Sequence, residues 1–418
     1  MKKRLLELGK DLLIALLLCS LLLLAAAAVP VETIRDNPGL SKLLQPLAPL
    51  LGLPEAELAY VETALPILDA AQPVAISVQN SMGRATAIWN FTSLDSAFET
   101  YGGLLGQAMD TAELFSEVST AQLRKALSGS SVYFQYGCSL PVPLLASWLG
   151  ANLEAGVPDA QAFLLALEDD AVVLYLCSET PLRAVTQVQP QDLEALLEQS
   201  RSDGSQLAFE TGSHLDAVSI LPGGSITAPG AAVSNPCDSR YIDQLATELG
   251  FNAYGETRYT DDEGVTYLSE ANCALEISSS GSVLLTASAP DRFSASSDSD
   301  EALVETARQL VETAAGSICG DARLYLSGLT RQEDVTVCTF GYLVSGIPVA
   351  LDGDAASVTF SGRSVVQLEV QVMTFTLSGS TLYPLPVAQA AAVLPSGSTL
   401  ELQYRIGSDR TLSVGWKK

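Results

Sequence analysis

Few residues of this chain combine the type and the spacing that catalysis needs. The only histidine, His214, stands between Ser213 and Asp216. A Ser–His–Asp hydrolase needs a base oriented by an acid and a nucleophile delivered from elsewhere in the fold. Here the serine and aspartate are too close in sequence to set that geometry, and no Gly-x-Ser-x-Gly elbow occurs. His214 is expected on the surface or in a cap. A single histidine also excludes multi-histidine metal sites and metalloprotease motifs. Asp261-Asp-Glu-Gly264 and Asp352-Gly-Asp354 carry the oxygen ligands that calcium prefers. Neither has the spacing of an EF-hand loop, so both are expected in hairpin turns. The Asp169–Asp170 pair could serve acid–base chemistry. With no sugar-binding aromatic cluster evident, it reads as a solvated turn. Asn90-Phe-Thr92 is a formal glycosylation sequon at a strand end, read as a chance match. No catalytic, cofactor-binding or metal-ligating residue is assigned, and the chain is expected not to be an enzyme.

Thiols are the other reactive groups. Cys138, Cys177, Cys237, Cys273, Cys319 and Cys338 follow an apolar amino terminus that holds Cys19. An even number in an exported chain permits disulfides. Pairs within one module are the simplest arrangement, Cys237 with Cys273 and Cys319 with Cys338. Six buried free thiols are the alternative. No Cys-x-x-Cys occurs and neither pair has metal-ligand spacing.

The elements that must position these groups start with an apolar run. Leu12 to Val29 are uncharged, and at 1.5 Å per residue they span about 27 Å, close to a bilayer core. Lys2, Lys3, Arg4 and Lys10 precede the run, which places the amino terminus in the cytoplasm and the bulk outside. An uncleaved single-pass anchor is expected over 1–30, since the run exceeds a usual signal-peptide core. A signal peptide cleaved after Ala26-x-Ala28 is the competing reading. Lys plus Arg total 22 and Asp plus Glu 48, a net charge of −26. Residues 1–28 hold four basic and two acidic residues, which leaves a net −28 outside the membrane. Such a surface does not neutralise phosphate, so nucleic acid is excluded as a partner. It is also repelled by anionic lipid headgroups.

The 418 residues suggest two or three domains. Apolar residues make up 48% and charged ones 17%, enough to build large cores. Residues 31–73 are broken by Pro38, Pro46, Pro49, Pro54, Pro66 and Pro73 into a stalk of short helices. Val74–Val78 and Arg84–Trp89 form a hairpin pattern around residues 80–83. Helices are expected over Ser93–Met109, Ser119–Leu127 and Pro190–Ser200, with strands over Ser131–Tyr136 and Ala171–Cys177. Ala231–Pro236 reads as the main domain boundary. A helix over Asp238–Leu249 and strands over Ala253–Tyr259, Val265–Ser269, Ala274–Ile277 and Val283–Ala287 follow. After a Ser/Asp linker comes a second helix, Glu301–Ala315. Strands then follow over Ala322–Ser327, Val335–Leu343, Ser357–Phe360 and Val365–Leu377. A helix over Pro386–Leu394 and strands Leu400–Tyr404 and Leu412–Trp416 close the chain. The class is α+β: an N-terminal transmembrane helix, a mixed α/β N-terminal domain over 31–232, and two helix-plus-antiparallel-sheet modules over 233–298 and 299–418.

Tyr342-Leu-Val-Ser-Gly-Ile-Pro-Val349, Ala355-Ala-Ser-Val-Thr-Phe-Ser-Gly362 and Leu382-Tyr-Pro-Leu-Pro-Val-Ala-Gln-Ala390 form a recognisable series. It resembles YycH and YycI, extracytoplasmic regulators of the essential Firmicutes sensor kinase YycG or WalK. Leu249-Gly-Phe251, Tyr259, Gly264 and Tyr267 look like the preceding repeat of that family, so the two modules are YycI-like. The extra N-terminal domain, with Tyr133-Phe-Gln-Tyr136 before Leu140-Pro-Val-Pro143, gives a YycH-like layout.

The resemblance implies a membrane-anchored regulator that modulates a sensor histidine kinase through transmembrane and outer-domain contacts, beside a possible sibling regulator. Small residues let helices approach closely in lipid. Ala15, Ser20, Ala25 and Ala28 are the candidate transmembrane contacts, against the alternative of a plain anchor. A second reading is an anchored or secreted binding module for a cell-wall component or small ligand.

Overall fold

The computed structural model describes residues 70–417, apart from 154–155, 256, 271 and 289–291. The expected anchor and stalk, with Ala15, Ser20, Ala25 and Ala28, lie outside the described residues. Among the described residues, eight α-helices accompany largely antiparallel sheets.

A first, seven-stranded sheet is built from hairpin β1 (Ala75–Asn80) and β2 (Gly83–Ile88), β3 (Glu113–Glu117), β4 (Ser131–Leu140), β5 (Ala160–Glu168), β6 (Ala171–Cys177) and β7 (Leu182–Val185). The order is β2-β1-β4-β5-β6-β7-β3, with every pairing antiparallel. Between these strands run α1 (Phe91–Thr111), α2 (Thr120–Ser128) and α3 (Val142–Trp148), and α4 (Pro190–Leu197) follows. Asn90 caps α1 by accepting from the Ser93 amide at 3.0 Å, and Ser119 closes a capping box with Gln122 at the start of α2.

Both faces of this sheet are covered. Val172, Leu174 and Leu176 of β6 join the core under α1, while Val173 and Tyr175 join the core under α2. That double burial explains why β6 reads as a continuous apolar run rather than an alternation. Strand β5 is buried in the same way, yet the sequence reading assigned it no element; its Ala- and Leu-rich run suits a helix as well as a strand. Each of Phe134 and Phe163, fully buried here, contributes about 1.5–3 kcal/mol of burial free energy.

Next come β8 (Gln206–Leu207), α5 (Ala208–Thr211), β9 (Ile220–Leu221), β10 (Ala228–Ser234) and α6 (Ser239–Glu248). The second sheet uses β11 (Tyr259–Thr260), β12 (Val265–Glu270), β13 (Cys273–Ser278) and β14 (Ser282–Ala287). After α7 (Asp300–Ala315) it continues with β15 (Ala322–Gln332), β16 (Val335–Val344), β17 (Ile347–Ala350), β18 (Ala356–Ser361) and β19 (Ser364–Gln371). Strand β20 (Thr374–Leu382), α8 (Val387–Val393), β21 (Leu402–Ile406) and β22 (Leu412–Trp416) end the chain. The order is β11-β12-β13-β14-β19-β18-β16-β17-β21-β22, with β15 beside β16. Only β17 and β21 pair in parallel among the described strands of this sheet. Helix α7 buries Leu303, Val304, Ala307, Val311 and Ala314 against it.

The segments expected as two modules are joined by strand pairing. Residues 233–298 and 299–418 contribute to one sheet, joined where β14 pairs β19 from Ser282↔Gln371 to Thr286↔Gln367. The expected boundary at Ala231–Pro236 is largely strand β10, which pairs β20 over Ala228↔Leu382 to Ser234↔Thr374. Its Pro and Gly residues mimic a linker, but they sit in a two-stranded ribbon with a register shift near Gly230. The expected strand Ala253–Tyr259 is mostly loop, with Asn252 accepting from the Tyr254 and Gly255 amides. The expected strand Val365–Leu377 divides into β19 and β20, because the chain leaves one sheet for the other at residues 372–373.

The two large sheets share one hydrophobic core, in which Phe134 and Leu165 of the first cluster with Phe340 and Val358 of the second. Tyr325 marks the seam. It stands opposite Gly341 in the β15–β16 ladder. A Cβ on Gly341 would lie 2.6 Å from its ring, and a Cβ on Gly137 of β4 would also lie 2.6 Å from it. The ring is thus pressed between two glycine backbones, one from each sheet. Gly341→Ala is expected to cost about 1–3 kcal/mol through overpacking. In a Tyr325→Ala background most of that cost should vanish, which a double-mutant cycle by urea unfolding checks. A cost that stays unchanged would place its origin elsewhere.

Candidate functional site

A cleft of about 360 Å³ opens along this seam. The first sheet contributes Ile88 and Trp89, Gln135 to Gly137, and Gln161. The second contributes Tyr325, Ser327, Gly346 and Pro348 to Leu351, and residues 399–403 with Lys417 close the far side. Two stretches that carry the family resemblance, Tyr133–Tyr136 and Tyr342–Val349, therefore meet here although they lie far apart in sequence.

Trp89 takes a left-handed backbone, with φ of 55°, and is 8% exposed. A bulky residue rarely adopts this conformation, at a cost of order 1–3 kcal/mol. Two contacts hold it. Its ring meets Trp416 edge to face at 5.4 Å, and the β16–β17 turn packs on its backbone. That turn uses Ser345 and Gly346 with φ of 52° and 81°, and a Cβ on Gly346 would lie 2.8 Å from the Asn90 nitrogen. The glycine of the Gly-x-Pro-Val stretch is needed for both its φ and its closeness.

At the far side Lys417 Nζ meets Glu401 Oε2 at 2.6 Å, and the Lys417 amide donates to the Glu401 carbonyl at 2.9 Å. Burial pushes the Tyr325 phenol up to about 12, with smaller contributions from Glu401, Cys138 and Asp354. Tyr325 is therefore a neutral hydroxyl at ordinary pH. Burial also raises the Asp354 carboxyl beside the cleft.

Two residues before Tyr325, Arg323 ties β15 to α1. Its Nη1 and Nη2 donate to Asp95 Oδ1 and Oδ2 at 2.7 and 2.9 Å, and Nη1 donates to Gln72 Oε1 at 2.9 Å. The guanidinium also lies 4.1 Å from the Phe91 ring centroid.

The residues singled out from sequence do not converge. His214 Nε2 donates to the Leu394 carbonyl at 2.9 Å, while the His214 carbonyl accepts from the Gly397 amide at 2.9 Å. Ser213 and Asp216 instead accept from the backbone amides of Leu215 and Val218. The local Ser–His–Asp triplet is a loop fastening. Asp169 and Asp170, with φ of 44° and 65°, form the tight turn between β5 and β6. Asp261 Oδ1 accepts from the Glu263 and Val265 amides in the turn before β12. The Asn90 side chain of the sequon is spent on capping α1.

Of the two arrangements expected for the cysteines, the structure has the free thiols. Cys237, Cys273, Cys319 and Cys338 are free in the structure, as are Cys138 and Cys177, so neither expected disulfide is formed. Cys273 sits in the core opposite Ala287, whereas Cys237 lies in the loop that caps α6. Cys319 donates to the Gly316 and Ala322 carbonyls, while Cys338 faces Val358 inside the second sheet. Burial pushes Cys138 and Cys338 up to about 12, and Cys237 and Cys319 up to about 11. Thiols held so far from ionisation are poor nucleophiles.

Sequence reasoning missed Trp89, Gln135, Tyr325, Glu401 and Lys417 as neighbours. The available signal was that Gln135 and Gly346 fall inside the two resembling stretches.

No family model matches the chain, and no curated protein matches it. Among solved structures, the crystal structure of YycH from Bacillus subtilis aligns with a TM-score of 0.56. The fold is YycH-like. The match covers 84% of this chain and 94% of that one at 10% identity. Among the described residues no helix is long and apolar enough to cross a membrane, and no cluster of three or more His, Cys, Asp or Glu could hold a metal ion.

Hydrogen bonding to Arg323, foremost, holds the Asp95 carboxyl below its usual range. Its contribution to stability is full above the ordinary carboxylate pKa of about 3.9 and is lost as pH falls through the lowered value. The pair is partly exposed, so the contribution should be about 1 kcal/mol or less. Asp95→Asn is expected to flatten the acid limb of a urea-midpoint-against-pH curve and to lower the midpoint near neutrality. An unchanged acid limb would count against the assignment.

Proposed function

We propose that the chain is a membrane-anchored extracytoplasmic regulator that modulates a sensor histidine kinase of the YycG or WalK type. The observation that carries this reading is the YycH-like fold over 84% of the chain. Three features support it. The apolar run Leu12–Val29, preceded by four basic residues, suits a single-pass anchor with the bulk outside. Two of the stretches that resemble the YycH and YycI regulators, Tyr133–Tyr136 and Tyr342–Val349, contribute to the lining of the seam cleft. The groups that suggested chemistry in the sequence act as turns, caps and fastenings.

In this reading the anchor packs beside the kinase helices through Ala15, Ser20, Ala25 and Ala28, where small side chains allow close van der Waals contact. The acidic outer surface stands off anionic headgroups and leaves the outer domains open to the kinase and to a sibling regulator. Such a protein acts by binding one kinase conformation better than another, and needs no catalysis.

Site-specific photocrosslinking from Ala15 and Ala25 in the native membrane, with partners identified by mass, tests this. A sensor kinase should be recovered, and Ala25→Leu placed beside the probe at Ala15 should reduce its yield several-fold. Recovery of wall enzymes alone, or of nothing, would sink the reading.

A further inference from the structure

The seam cleft has the makings of a ligand site, and its lining states the ligand's chemistry. The volume of about 360 Å³ falls at the lower end of small-molecule sites, about 300–1,000 Å³. It lies where two sheets meet, and a strained tryptophan forms part of its wall. Strain of that kind concentrates at functional positions.

Charge narrows the choice. The chain has a net charge of −26, yet the charged side chains lining the cleft are Glu401 and Lys417, which neutralise each other across 2.6 Å. Within the lining itself neither a cation nor an anion finds an unbalanced partner, and the Asp354 carboxyl stands beside the cleft rather than in it. The remaining polar lining is of amides and hydroxyls, among them Gln135, Gln161, Gln403, Tyr325, Ser327 and Thr399. Each of these side chains both donates and accepts hydrogen bonds, as the hydroxyls of a polyol do. Beside them stand the half-buried Ile88, Pro348 and Leu351, an apolar edge suited to the C–H face of a ring. The clamp on Tyr325 adds preorganisation, because its ring is fixed between Gly137 and Gly341 before any ligand arrives.

We propose that this cleft binds a neutral saccharide unit of one or two rings, with the Tyr325 hydroxyl and the Gln135 amide as its main polar contacts. The assignment goes beyond the regulator reading and stands without it, since it rests only on the lining of the cleft. It would give a signalling protein of this fold an extracellular input.

The test uses the full chain in a detergent without a sugar headgroup, because a glycosidic detergent would compete. N-acetylglucosamine and its β-1,4-linked tetramer are titrated to tens of millimolar, with Ala–Ala dipeptide and inorganic phosphate as comparators. Tryptophan fluorescence reports occupancy, since Trp89 lines the cleft and Trp416 packs on it. A saturable change with at least one sugar is expected, weakened at least tenfold by Tyr325→Phe, which keeps the clamped ring and removes only the hydroxyl. Gln135→Ala should weaken it similarly, and the thermal midpoint without ligand should stay close to that of the parent in both variants. Tighter binding of the tetramer points to the end of a glycan strand, and equal binding points to a free sugar. No saturable change with either sugar, undiminished affinity in both variants, or a tighter response to the dipeptide or phosphate overturns the proposal. Crosslinking to a kinase is read separately, so failure of one proposal leaves the other standing.

Discussion

The contact on which the architecture turns is the Tyr325 ring held between Gly137 and Gly341. No ladder of hydrogen bonds joins β4 to β15 among the described pairings, so packing closes most of the seam between the two large sheets, helped by single polar ties such as the Cys138 thiol to the Leu326 carbonyl and Arg323 to Asp95. A flat aromatic side chain fits there only because glycine stands on both sides. Around it, the shared hydrophobic core continues from α1 and the first sheet to α7 and the second. Interiors packed at crystal density transmit small displacements rather than absorb them. A change on one side of the seam is therefore felt on the other.

Electrostatics supports the same seam. The Asp95–Arg323 pair and the Glu401–Lys417 pair are bridges between distant parts of the chain or between its last strands. With 48 acidic residues against 22 basic ones, each basic side chain held in a bridge is one fewer left to balance the remaining carboxylates. Arg84 shows the extreme case. It is 3% exposed, it meets Glu210 at 2.8 Å, and it also donates to the Leu127 carbonyl. Removing one partner of such a buried pair costs more than the pair contributes, because the other charge stays desolvated.

Much of the local structure was legible in the sequence. The hairpin of β1 and β2, the capped helices α1, α2, α6 and α7, and strands β6, β12 to β14 and β16 follow from periodicity and cap residues that act over a few positions. The long-range arrangement was not. Two helix-and-strand cycles suggested two modules, but the exposed edge of one sheet finds its best cover in the other, and β14 pairs β19. Ala231–Pro236 read as a boundary because local preference does not reveal a partner strand more than a hundred residues away. Nearness in sequence suggested Cys237–Cys273 and Cys319–Cys338, with free thiols as the alternative, and in the structure these residues are free thiols on different elements. The cleft escaped notice for the same reason. Gln135, Tyr325 and Glu401 are unremarkable alone and gain meaning only from the fold that gathers them.

The ribbon of β10 and β20 sets a timetable for the chain. Strand β10 begins at Ala228 and its partner ends at Leu382, and the Tyr404 hydroxyl reaches the Pro229 carbonyl across 175 residues of sequence. During synthesis β10 must wait, with an open edge, until almost the whole polypeptide has emerged. The first sheet, whose strands all lie before residue 186, can close long before that. Contacts of such separation form late because the intervening loop has to be closed first. An unpaired edge that persists during this wait invites mispairing between neighbouring chains. Truncation near the carboxyl end should therefore harm yield far more than the small mass removed would suggest.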